Sequence, residues 1–197
     1  MVITISRQYG SGGQRVGQMV AKKLGIPYYD KEVIELAAEQ SGFEKKMFEE
    51  ADKNASNSLL FSLSVFGGDM GAGVTSLADK VYLITADAIK KIASDGDCVI
   101  VGRCADYILK SSMPCMSIFL RASHDSRVRR CVEEYGEDAS NIEKVLEKRD
   151  KKRSVYYLHY TGEKWGANEN YDMVLNTDLL GLENTADLIA NAYKKAL

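Results

Sequence analysis

Five short apolar runs, at residues 2–6, 28–30, 98–102, 117–121 and 172–176, punctuate the chain and predict strands. Two of them, CVIVG and SIFLR, are nearly continuous in apolar residues and carry β-branched or aromatic side chains. That is the pattern of strands buried on both faces of a parallel sheet. Between the runs the period lengthens to that of a helix. Val16, Met19, Val20 and Leu24 share one face, while Gln18, Lys22 and Lys23 fall mainly on others. Val33, Ile34, Ala37 and Ala38 form a second stripe, residues 76–94 a third candidate helix and residues 183–195 a fourth. Strand and helix alternating in this way predict a three-layer α/β architecture.

Two regions break the alternation. Residues 54–75 mix Leu and Phe with GGDMGAG, and glycine at that density predicts a mobile insert. Residues 140–170 read as a long charged helix followed by an aromatic stretch, YYLHYTGEKWG. Both suit lids over a site at the carboxyl edge of the sheet, where open α/β sheets place ligands. Neither looks like a separate domain, so residues 1–197 are expected to form one.

Composition narrows the function. With 26 basic and 28 acidic side chains the net charge is -2, which lacks the basic excess of a general nucleic-acid binder. No apolar run approaches the ~18 residues of a membrane span, and the N-terminus lacks a secretory pattern, so a cytoplasmic protein is expected. Cys98, Cys104, Cys115 and Cys131 form no C-x-x-C pair, and His124 and His159 lie far apart, so no zinc site or disulfide framework is expected.

The segment richest in chemistry is ISRQYGSGGQRVGQMVAKKLG, where Gly10, Gly12 and Gly13 follow the first strand and an amphipathic helix opens near Gln14. Glycines there turn the backbone sharply and aim successive N–H groups at one point, and the helix N-terminus adds its positive end. The expected occupant is a nucleotide's phosphate chain. The dinucleotide pattern G-x-G-x-x-G fails because Arg15 stands where the third glycine belongs, although Asp30 sits where an acidic ribose partner would. The Walker pattern G-x-x-x-x-G-K-[ST] fails too. Aligned on Gly12, Arg7 takes the first glycine's place, Gly13 the lysine's and Gln14 the hydroxyl's.

ISRQYGSGGQRVGQMVAKKLGIPYYD, CVIVGRCADYIL, SIFLRASHDSRVRR, EKRDKKRSVYYLHYTGEKW and YDMVLNTDLLG, in that order, resemble the cytidylate kinases. The likeness is closer to the cytidylate kinase-like group of small P-loop proteins. It implies the P-loop fold of nucleoside monophosphate kinases, with a five-stranded parallel sheet and a lid at about 124–170. It also implies ATP, with Mg2+, as phosphoryl donor to a nucleoside monophosphate or other small hydroxylated metabolite. By resemblance Gly10 and Gly12 are phosphate-loop glycines, with Gly13 at the lysine's position and Arg15 at the threonine's. Arg103 matches the arginine of the family's Gly-Arg-Asp motif, whose Asp is Cys104 here. Arg127 and Arg130 match lid arginines. Asp150 and Arg153 match an Asp-x-x-Arg pair on the acceptor sugar and the phosphates.

Phosphoryl transfer rests on charge neutralisation and alignment, so a chain without the loop lysine needs another cation. Candidates are Arg7, Arg15, Arg127, Arg130 and Arg153, with Arg7 and residues 10–15 (Gly10, Ser11, Gly12, Gly13, Gln14 and Arg15) as the nucleotide site. Arg103 follows a buried strand, where an unpaired charge is costly, and is assigned with Asp30 and Asp150 to the acceptor. Asp30 is either a site carboxylate, orienting or deprotonating an acceptor hydroxyl or holding magnesium, or a cap for the helix after it. Ser11 is the other candidate magnesium ligand, and no cluster of protein metal ligands is expected. Tyr156, Tyr157, Tyr160 and Trp165 suit either a base clamp or packing. The alternative function is a nucleotide-binding regulatory protein without transfer activity.

Overall fold

The computed structural model describes residues 1–42, 46, 48 and 76–196, so the insert expected at 54–75 lies outside the described residues. Five strands, β1 (Val2–Arg7), β2 (Tyr28–Tyr29), β3 (Val99–Val101), β4 (Cys115–Arg121) and β5 (Met173–Asn176), form one parallel sheet in the order β2-β3-β1-β4-β5. All five fall on the apolar runs of the sequence. In the dinucleotide-binding fold the second strand lies beside the first. Here β3 does, pairing Ile3 with Val99 and Ile5 with Val101, so the order is not that of a dinucleotide-binding sheet. This adjacency sets the carboxyl ends of β1 and β3 side by side.

The central strand shows why the sheet is buried on both faces. Ile3 and Ile5, joined by Val99, Val101, Ile118 and Leu120, pack under α1 (Gly13–Leu24) through Val16 and Val20. The closing helix covers the same face through Ile189. Val2, Ile100 and Cys104 point the opposite way, into a cluster with Ile89 and Ile92. Alternation by two along the strands thus feeds two helical layers.

Further helices among the described residues include α2 (Glu32–Ser41), α3 (Leu77–Ser94), α4 (Ala105–Leu109), α5 (His124–Glu133), α6 (Ile142–Thr161), α7 (Thr177–Leu180) and α8 (Leu182–Ala196). Ser76 opens α3 with a reciprocal box, its hydroxyl accepting from the Asp79 amide while Asp79 accepts from the Ser76 amide. Glycines in the left-handed region close α1 at Gly25 and α6 at Gly162. Among the described residues no helix is long and apolar enough to cross a membrane.

Candidate active site

After β1 the chain makes two left-handed turns, at Gly10 (φ 78°) and Gly12 (φ 79°), before α1 begins at Gly13. Gly12 caps α1 without a side-chain hydrogen bond, so the helix start carries its amides unblocked by a cap side chain. Gly10 is required twice over. Its φ suits glycine, and a Cβ there would lie 2.9 Å from the Arg127 carbonyl oxygen and from Cys131 Sγ on α5. Helices α5 and α6 hold this loop by its backbone. The Tyr9 amide donates to Asp150 at 2.7 Å, the Tyr9 carbonyl accepts from Arg127 Nε at 2.7 Å, and the Gly10 carbonyl accepts from Arg130 at 2.6 Å. The Arg7 carbonyl accepts from Arg153 at 3.1 Å.

Beside the loop opens a cavity of about 380 Å3. Among the described residues Arg7, Lys31, Arg103, Arg149, Lys152 and Arg153 line it, against a single carboxylate, Asp30, with Tyr156 and Trp165 on its wall. Three of the cations come from α6, where positions 149, 152, 153 and 156 recur at helical spacing and so share one face. Arg7 reaches the cavity from the end of β1, and its guanidinium donates to Asp30 at 3.4 Å. Gln14 holds the other Asp30 oxygen with its side-chain amide. Burial lowers the pKa of Arg7, with Asp30 opposing and Arg103 adding to the shift. Burial and the Arg7 charge pull Arg153 down to about 9. Guanidinium groups stay protonated at physiological pH, so cations in this crowding favour an anion among them.

The corner after β3 is the strained part of the site. Gly102, Arg103 and Cys104 follow one another in the left-handed region, at φ 82°, 59° and 55°. Only the first is a glycine. Non-glycine residues there cost about 1 kcal/mol each, and such strain collects at functional positions. Cys104 is buried at this corner, which pushes its thiol pKa up and keeps it neutral.

The predicted site residues take four different places. Arg7, Gln14, Asp30, Arg103 and Arg153 meet on the cavity. Gly10, Gly12 and Gly13 form the loop beside it. Arg127 and Asp150 instead pair with each other and hold Tyr9, and Arg130 holds Gly10, so these three shape the loop. Arg15 projects outward into an ion pair with Glu134 at 2.5 Å. Asp30 does not cap α2: Lys31 is the cap residue, with no side-chain bond, and the Asp30 amide donates to Glu32. Tyr156, Tyr157 and Trp165 both line the cavity and pack against the core, whereas Tyr160 stacks on Tyr82 with ring centroids 3.9 Å apart. Lys31, Arg149 and Lys152 were missed by sequence reasoning. For the last two the spacing to Arg153 was the available signal.

No magnesium site is built from protein groups alone among the described residues. Ser11 is fully buried and spends its hydroxyl on the Gln8 carbonyl at 2.8 Å. Both Asp30 oxygens already accept from N–H donors. Among the described residues no group of three His, Cys, Asp or Glu is arranged for a metal.

Solved structures place this architecture. Shikimate kinase from Bacteroides thetaiotaomicron superposes with a TM-score of 0.53 at 12% identity, covering 98% of each chain. Shikimate kinase from Acinetobacter baumannii, in complex with shikimate, does so with a TM-score of 0.51 at 12% identity, covering 99% of this chain and 93% of its own. The fold is that of the P-loop kinases. An uncharacterized protein from Eubacterium ventriosum ATCC 27560 is nearer in sequence, with 25% identity, a TM-score of 0.72 and 98% of each chain covered. The model of the cytidylate kinase-like family matches residues 2–179, and the chain belongs to that family. No curated protein matches it.

Proposed function

We propose that the protein is an ATP-dependent phosphotransferase whose acceptor is a nucleoside monophosphate or another small hydroxylated metabolite. One observation carries the reading. Among the described residues six cations, Arg7 included, line a cavity that holds one carboxylate, Asp30. Like charges crowded in this way repel, and a phosphate among them would relieve that repulsion and accept charge-assisted hydrogen bonds. Arg7, Arg103 and Arg153 would neutralise the transferred group, while Asp30 orients Arg7. The backbone amides of residues 10–15 would hold the donor's phosphates over the start of α1. Magnesium, if used, would arrive with the nucleotide.

A thermal-shift screen of nucleotides with and without magnesium, followed by an assay for ADP release, tests this. ATP at a hundred times its Kd should stabilise the protein by about 2.7 kcal/mol. Stabilisation accompanied by ADP release with one acceptor supports the proposal. Stabilisation without turnover for any acceptor points to the regulatory nucleotide binder, and no stabilisation by any nucleotide overturns both.

A further inference from the structure

We propose that Arg7, threaded over Gly13 and Gly102, supplies the phosphate-loop cation that a lysine at the Gly13 position supplies in a Walker loop. The inference rests on the phosphotransferase reading for the identity of the anion, and on packing alone for the route of the side chain. Relative to the Walker pattern the chain has exchanged two residues: a cation stands at position 7 in place of the first glycine, and a glycine at position 13 in place of the lysine.

The structure shows that the exchange is reciprocal. Gly13 is not among the glycines with positive φ, so its backbone suits any residue, and most would hold a helix better than glycine. What excludes a side chain is Arg7. A Cβ on Gly13 would lie 2.7 Å from both Cβ and Cγ of Arg7. Those atoms are the root of the side chain and cannot swing aside as its tip can. Further along, a Cβ on Gly102 would run into Arg7 Nη1. Two glycines from two different strand ends therefore leave a track for one arginine. At the end of the track Asp30 receives Nη2, and Gln14 steadies Asp30. Nε is left buried with no acceptor among the described residues. A lysine at 13 would reach the phosphates as a point charge from the helix side, whereas Arg7 presents a planar fork from the strand side.

Two measurements on the full chain test this. In the first, melting temperatures are compared for Gly13→Ala in the wild type and in Arg7→Gly. Alanine should lower Tm by about 2–8 °C in the wild type, or prevent folding there. In Arg7→Gly, where the track is empty, it should leave Tm unchanged or raise it. An equal loss in both backgrounds overturns the packing account. In the second, ATP and pyrophosphate are titrated by calorimetry. Arg7→Gly should weaken both at least tenfold, and Arg7→Gly/Gly13→Lys should regain part of that loss through the restored lysine. Binding by Arg7→Gly equal to wild type overturns the cation role. Arg7-dependent binding of pyrophosphate without binding of ATP leaves this inference standing and overturns the phosphotransferase reading. Binding of neither probe to the wild type overturns both.

Discussion

Two strand-to-helix corners meet at the carboxyl edge of the sheet, and they solve the same geometric problem in opposite ways. The corner after β1 takes its left-handed turns at Gly10 and Gly12, where a side chain would strike α5 or Leu182. The corner after β3 takes two of its three left-handed residues as Arg103 and Cys104. In the first, helices press on the backbone from outside and glycine is the residue that fits. In the second, a guanidinium faces the cavity, and the backbone carries the strain of keeping it there. The difference separates glycines required by packing from a strained corner that sets Arg103 on the cavity.

The contrast can be broken most severely at Gly10. Gly10→Ala adds left-handed strain to a clash with Arg127 and Cys131, and should cost about 3 kcal/mol in denaturant unfolding. A loss below about 1 kcal/mol would mean that α5 gives way easily and does not clamp the loop. At the other corner Arg103→Gly should leave stability within about 1 kcal/mol, because glycine relieves the strain at φ 59°. Anion affinity in the same variant should fall about tenfold, worth about 1.4 kcal/mol, measured by calorimetry. A variant that is severely destabilised yet binds normally would reverse the roles assigned to the two corners.

The smallest effect is expected just past the second corner, at Asp106 in the first turn of α4. Its burial raises the carboxyl pKa, while the Tyr157 hydroxyl, donating at 2.8 Å, opposes the shift. A carboxyl raised in the folded state holds a proton that the unfolded chain releases. Its contribution is therefore whole below the ordinary carboxyl pKa and is lost as pH rises through the folded value. Asp106→Asn removes this titration and still accepts from Tyr157. Its Tm should gain on the wild type as pH increases from 4 to 7; a constant difference would show that Asp106 titrates alike in both states.

How much of this was legible depended on how local each cause is. The strands could be read because burial on both faces demands unbroken apolar runs, as in CVIVG. The loop could be read because left-handed turns before a helix demand glycine. The partition of the arginines could not. Arg127 and Arg103 carry the same charge, yet one bonds the Tyr9 carbonyl and the other lines the cavity. That choice depends on which helix lies over the loop. Asp150 likewise looks like any helical carboxylate until the Tyr9 amide is brought to 2.7 Å.

By itself the sequence determined the five-stranded α/β plan, the phosphate-loop corner and the absence of its lysine, because hydrophobic period and glycine geometry act within a few residues. Only the tertiary structure decided which side chain fills the space beside Gly13. Arg7 crosses Gly13 six positions later and Gly102 from another strand, and a steric exclusion between residues so far apart exists only once β1 and β3 lie side by side.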